Sequence, residues 1–359
     1  MKFNYLLLSL FILGVSVSVI SCKKDDVIPA YEVPTTYSFT NVNYAEASKR
    51  LVMIAQIETL MNTDNKAGGG TYIDSVKLKN MFANSGNPFS ADSLNKSGFQ
   101  LKDKTALSAQ SVIQNFLYNQ SLASLSTSPA SNGTAGVGTT QTNSYILLSA
   151  KGVNYRQVFT KTMMAAMLAN EMINLVKSSP DNNTVIAGKG TAMENAWDLA
   201  FGYFNVPVNF PTSTTGVKYL GSYCNQVNAG IGSNAILMDA FLKGRAAISH
   251  KDIAVKNVQA DIIAKELELV VAAGAIHEIA EAKAGLTDAV QTVSRFSECM
   301  GFIIGLRYFS NKTITDAQFN TLYQTYLHNG DLYAITTSDM NNIVSTLASI
   351  YGFSNPGTI

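Results

Sequence analysis

The sequence predicts an all-α fold, a helical bundle with long irregular loops. Three observations carry this. The longest uninterrupted pattern, Ile253 to Phe309, reads as two long helices joined by a short turn. Almost no stretch sustains the period-two alternation of a strand. Hydrophobic residues make up 47% of the 359 and charged residues only 14%, which supplies a substantial core. In the first long helix an apolar stripe runs Val255, Val258, Ile262, Leu269, Ala273, Ile276 and Ala280, broken once by Lys265. Its gaps are those of one helix face. A neighbouring stripe runs Ile263, Leu267, Val270, Gly274, His277 and Glu281. Ala284-Gly285 is expected to close the helix through a left-handed cap, and Thr287 to cap the next one. The second helix carries Val290, Val293, Phe296, Met300, Ile303 and Leu306. Gly301 and Gly305, four apart, would let another helix come close.

At the start of the chain, Lys2 and the apolar run Tyr5 to Ile20 read as a secretion signal. The run is too short and too N-terminal for a spanning helix. It ends in Val19-Ile20-Ser21-Cys22, which resembles the lipobox of bacterial lipoproteins. That resemblance makes 1–21 the signal peptide and Cys22 the lipidated N-terminus. The alternative is a plain secretory signal with an incidental cysteine. Lys23-Lys24-Asp25-Asp26 resembles the export signal of Bacteroidota-type lipoproteins bound for the outer face of the outer membrane; the alternative is a solvated tether. Residues 22–40 hold Pro29 and Pro34 and no helical period, so they read as the lipidated tether. Residues 41–359 are the all-α domain, one bundle or two packed together.

Within that domain helices are expected at Tyr44 to Met61, Asp74 to Phe82, Ala106 to Leu125, Tyr155 to Val176, Thr191 to Phe204, Asn234 to Ile248, Thr315 to Tyr326 and Ser338 to Tyr351. Thr191, with Glu194 three residues on, forms a capping box. Thr315 and Ser338 are the expected caps of the last two helices. Lys243, Arg245 and His250 sit at the C-terminal end of their helix, where cations suit the dipole. Loops are expected at Asp64 to Gly70, Ser178 to Gly190 and Phe204 to Tyr219. The small, glycine-rich stretch Ser126 to Asn143 reads as an exposed loop. A net charge of +1 argues against a nucleic-acid partner. Three cysteines are too few for a disulfide framework, and Cys224 and Cys299 are expected to be separate buried thiols.

Three constellations could carry chemistry. His277 and Glu281 stand one helical turn apart and offer two metal ligands, although Glu281 occupies the position where a zincin helix has its second histidine. The bland reading is a histidine bonded within the bundle. Glu194 and Asp198 flank Trp197 as a paired-carboxylate site would; Trp197, Phe201 and Phe204 also read as a core stripe behind an acidic cap. Glu298 stands among Ser294, Gly301 and Gly305, as an interhelical hydrogen bond or part of a polar site. No nucleophile elbow, phosphate loop, dinucleotide fingerprint or calcium loop is present in the sequence.

Trp197-Asp198-Leu199-Ala200-Phe201-Gly202-Tyr203-Phe204-Asn205-Val206-Pro207 resembles the Trp-Asp-x-Ala-Phe-Gly-Tyr-Phe-x-Val-Pro signature of a family of uncharacterised Bacteroidota outer-membrane lipoproteins, classed as a domain of unknown function. The stretch from Tyr31 to Phe39 resembles that family's start, and Gly244 to Ile248 its later helix. The family is distantly similar to the imelysin-like proteins, which are helical, exported and associated with iron uptake. The resemblance implies an exported double bundle and iron or another divalent metal as the cofactor to look for. The imelysin hallmark is Gly-x-His-x-x-Glu, whereas Gly274 lies three before His277 and Glu281 four after it. Ser294 stands where the lipoprotein family would have a histidine.

The expected function is a surface-anchored, non-catalytic lipoprotein. It would be held in the membrane through lipid and bind a protein, metal or glycan, with metal or haem acquisition as the setting. The alternatives are an imelysin-like metal-dependent hydrolase using His277, Glu281 and Glu298, and a structural subunit of an outer-membrane complex.

Overall fold

Helices supply nearly all the regular structure in the computed structural model, which describes residues 29–359. Residues 1–21, read above as a signal peptide, Cys22 and the Lys23 to Asp26 stretch lie outside the described residues. The helices that position the site are α1 (Ala45–Met61), α2 (Ser75–Ala83), α3 (Gln110–Ala123) and α4, whose segments Tyr155–Met163 and Asn170–Lys177 are joined by a π-turn at Met164–Ala169. They continue with α5 (Ala192–Phe204), α6 (Tyr219–Gln226), α7 (Ser233–Ser249), α8 (Ile253–Ala284), α9 (Ala289–Leu306), α10 (Asp316–Asn320) and α11 (Thr337–Tyr351). No described helix is long and apolar enough to cross a membrane.

The α8–α9 hairpin is the spine, with α7 along α8 and α4 along α9. Every residue from Val270 to Ile276 is buried, because neighbours surround the middle of α8. Nearer its N-terminus only one face is covered. That face carries Lys256, Ala260, Ile263 and Leu267, while Val258 is 56% and Ile262 36% exposed. The stripe through Val258 is therefore not the buried one there. Two apolar stripes lie side by side, and periodicity alone does not say which meets the partner. Glycines set the α4–α9 spacing. A Cβ at Gly301 would lie 2.8 Å from Lys161 Cβ, and one at Gly305 2.7 Å from Ala165 Cβ. The π-turn in α4 leaves the Ala166 carbonyl free to accept from Ala106 N at 2.8 Å.

Several local expectations are corrected. Gly285 closes α8 at φ −109°, outside the left-handed region. Asp288, not Thr287, caps α9, because a carboxylate one residue later reaches Gln291 N. Thr336, not Ser338, caps α11, in a capping box with Asp339. The Thr191–Glu194 box forms as expected, and Thr315 caps its helix as expected, in a box with Gln318. The stretch read as an exposed loop contains one strand of an antiparallel hairpin, β1 (Gly136–Thr139) with β2 (Tyr145–Leu148). Its Val137, Leu147 and Leu148 are buried. Its glycines serve close approach: a Cβ at Gly138 would lie 2.7 Å from Val290 on α9.

The tether also ends earlier than residue 40. The Tyr31 hydroxyl donates to Asp252 at 3.0 Å and its ring stacks on His250. Tyr37 is buried. Residues Tyr31–Ile359 form one compact unit. Cys224 and Cys299 are both buried free thiols.

Candidate functional site

Two groups of buried charges stand out, and they have different characters. The first joins α5 to α7. Arg245 Nε donates to Asp198 at 2.8 Å, and its Nη1 donates to Glu194 at 2.7 Å. The Tyr37 hydroxyl donates to the same Asp198 oxygen at 2.8 Å. Arg245 is therefore a core residue, not a solvated cation at a helix end. Its side chain is matched by the two acids one turn apart, and no solvent-facing paired-carboxylate site is formed. Burial pushes the Asp198 carboxyl up to about 6, against the pull of Arg245.

The aromatic signature surrounds this network. Trp197 Nε1 donates to Phe241 O at 3.0 Å, and its ring lies over Gly244, where a Cβ would overlap it. Phe201 stacks on Tyr37 with ring centroids 3.7 Å apart. Gly202 lets Tyr44 and Ala47 of α1 approach, and the Tyr203 hydroxyl accepts from Arg50 at 3.2 Å. Asn205 ends α5 at φ 59°, a conformation asparagine tolerates. The signature thus fastens α5, α7, α1 and the N-terminal segment together.

The second group opens on a cleft. Lys161 of α4 lies 2.8 Å from Glu298 of α9, with both side chains buried. Gln157 donates to the other oxygen of Glu298 at 2.9 Å. Tyr223 of α6 brings its hydroxyl to Glu298 at 3.0 Å and, more closely, to Glu278 of α8. Arg295 donates to Glu278 at 3.1 Å and reaches Glu281 at 3.4 Å. Lys161 also sits over the Tyr223 ring, 4.8 Å from its centroid.

Proton arithmetic constrains this group. One phenol proton can be donated to only one carboxylate. Two close oxygens are accommodated when the other carboxyl keeps its own proton and donates it to Tyr223. Lys161 holds Glu298 ionised, below the usual carboxylate range. Burial and the neighbouring Glu298 charge raise Glu278, which makes it the protonated member. Burial and the two carboxyls together raise the Tyr223 phenol far above its ordinary value.

The cleft above these residues has a volume of about 550 Å³. Glu298, Lys161, Tyr223 and Arg295 line it together with Glu58, Thr160, Arg156, Tyr219 and Lys218. The Glu58 carboxylate is occupied by hydroxyls, accepting from Thr160 and from Tyr219 at 2.8 Å. A smaller cavity of about 280 Å³ borders Glu268. There the carboxylate is taken by Thr313 and Tyr351, which ties α8 to the C-terminal elements.

His277 and Glu281 do not meet at a shared centre. His277 Nδ1 lies 3.4 Å from the Ile359 carbonyl oxygen, while Glu281 turns to Arg295 at the surface. Arg295 stands between Glu281 and Glu298, contacting both. Among the described residues no cluster of three or more His, Cys, Asp or Glu is placed to hold a metal ion. Ser294 accepts from Asn154 at 3.1 Å and belongs to the α4–α9 packing.

The family model described as domain of unknown function DUF4856 matches residues 34–354. The chain belongs to that family. The match begins just before Tyr37 and spans both charge groups. No curated protein and no solved structure matches the chain.

Sequence reasoning singled out Glu298 of this DUF4856 site and missed Lys161, Tyr223, Glu278, Arg295 and Arg156. A signal was present for two of them. Lys161 falls between Val158 and Ala165, and Glu278 between Ala275 and Ala282, each a charge on an otherwise apolar face. Such charges stay buried only when a partner neutralises them.

Proposed function

We propose that this DUF4856 protein is a lipid-anchored surface protein whose helical domain binds a small polar ligand, without catalysis, in the cleft above Glu298. The observation that carries the reading is the buried Lys161–Glu298–Tyr223–Glu278–Arg295 cluster at the wall of an open cleft. Buried ion pairs do little for stability compared with apolar packing. Displaced titration collects at functional sites. The cleft volume suits a small organic molecule. Its carboxylates are already matched by lysine, arginine and hydroxyls, so we read the ligand as organic rather than a bare metal ion. That leaves less support for a metal-dependent hydrolase built on His277, Glu281 and Glu298.

The anchor is Cys22. The eight residues between it and Tyr31 allow roughly 30 Å of reach at full extension. Tyr31 is fixed on Asp252, which caps the start of α8.

Two experiments test the reading. Incorporation of labelled palmitate that Cys22→Ala abolishes supports the anchor. Thermal denaturation of the mature protein with a panel of sugars, sugar acids, amino acids and dicarboxylates tests the cleft. At least one class is expected to raise the melting temperature, and Ser222→Trp, which fills the mouth, to remove the rise. A panel without effect, or a rise that Ser222→Trp leaves intact, overturns the cleft reading.

A further inference from the structure

We propose that the ligand of this cleft carries an oxyanion, a carboxylate or a phosphate, and that Arg156 grips it with Lys218 at the rim. The inference rests on the cleft being a binding site. Arg156 is set apart from the other four arginines of the chain. Arg50 is bound by Glu46, Asp103 and the Gln100 carbonyl; Arg245 by Asp198 and Glu194; and Arg295 by Glu278. Arg307 lies over Phe319, 4.4 Å from the ring centroid. Among the described residues the Arg156 guanidinium has no ion-pair or hydrogen-bond partner, and its Nε is buried without an acceptor. A buried donor left unmet is unfavourable.

The needs of the cleft are therefore asymmetric. Its acids are saturated: Glu58 accepts from two hydroxyls, and Glu298 from Lys161, Gln157 and Tyr223. Lys161 is consumed by Glu298. Arg156 and Lys218 line the same space and form no ion pair with any described residue. What the site lacks is an acceptor. A guanidinium presents a planar fork of donors, the complement of a carboxylate or phosphate edge. Arg156 also lies in the first turn of α4, where the peptide dipoles add positive potential. Met164, Val217 and Tyr219 supply apolar surface for the remainder of the ligand.

The test uses the mature, lipidated protein in detergent and calorimetric titration with matched pairs. The pairs are glucuronate with glucose, glucose 6-phosphate with glucose, and succinate with succinamide. The oxyanion of at least one pair is expected to bind at least tenfold more tightly than its neutral partner, more weakly as salt rises. Arg156→Gln should remove the preference and Arg156→Lys keep part of it, with melting temperatures close to wild type. The carboxylate and phosphate arms identify which oxyanion is taken. Neutral members binding as tightly as their charged partners, or a preference that survives Arg156→Gln and Lys218→Gln, overturns the oxyanion while leaving the cleft reading standing. No binding by any member, together with no thermal shift across the wider panel, overturns both.

Discussion

Lys161 and Glu298, on adjacent helices, form a 2.8 Å ion pair with both side chains buried. Removing one partner leaves a charge in a poorly solvated place. Lys161→Met is expected to lower stability by about 3 kcal/mol. The double variant Lys161→Met/Glu298→Gln should recover part of that loss, since neither charge then remains. Urea unfolding of the two variants checks this; a double variant less stable than the single one would count against the pairing.

Glu278 has the opposite titration from Glu298, and the sign matters. Its folded-state affinity for protons is raised, so the folded protein holds a proton that the unfolded chain releases. The stability linked to that proton is complete below the ordinary carboxyl range and is lost as pH rises towards neutrality. Glu278→Gln keeps a donor for Tyr223 and has no proton to lose. Its melting temperature should therefore fall less than that of the wild type between mildly acid and mildly alkaline pH. Parallel curves would show that Glu278 does not hold the extra proton.

Gly244 and Gly285 separate two uses of glycine. A Cβ at Gly244 would overlap the buried Trp197 ring, whereas one at Gly285 meets nothing closer than 3.5 Å. Gly244→Ala is expected to cost about 3 kcal/mol or more through overpacking. Gly285→Ala, at negative φ, should change stability by less than about 1 kcal/mol. Thermal denaturation of the pair checks both.

Tyr37 ties the N-terminal segment to the core through Asp198 and Phe201. Tyr37→Phe should cost about 1.5 kcal/mol, the scale of a hydrogen bond to a charged group. A chain begun at residue 41 should be destabilised further, because the whole ring is lost. Limited proteolysis should then cut more readily near Asp198 and Arg245.

The all-α class and most helix positions were legible because long apolar stripes need only local periodicity. The Thr191–Glu194 capping box was legible for the same reason, its partners lying three residues apart, and so was Thr315 as a cap. What escaped depends on packing between distant segments. Val258 and Ile263 belong to adjacent stripes, and only the neighbouring helices, α7 foremost, decide which turns inward. Gly138 looks like a loop residue until Val290 is placed against it, and Gly136 until the Ser128 backbone is. The segment from Tyr31 to Tyr37 looks like a tether until Asp252 and Asp198 are brought to it. Glu298 could be marked from sequence as a lone acid among small residues. Its partners Lys161, Tyr223 and Glu278 come from three other helices, and no spacing within the chain connects them. His277 and Glu281 illustrate the converse: one helical turn brings them near each other, but the bundle turns them to different partners.

The cleft lined by Arg156 and Glu298 is proposed to hold a small ligand. The most direct test is an environment-sensitive fluorophore attached to Gln226→Cys at the exposed rim of the cleft, in the mature protein with Cys224 and Cys299 buried and unlabelled. Titration with glucuronate, glucose 6-phosphate and succinate is predicted to give a saturable emission change for at least one of them, reduced at least tenfold in affinity by Arg156→Gln. An emission that stays flat for these and for the neutral sugars and amino acids of the wider panel would contradict the account.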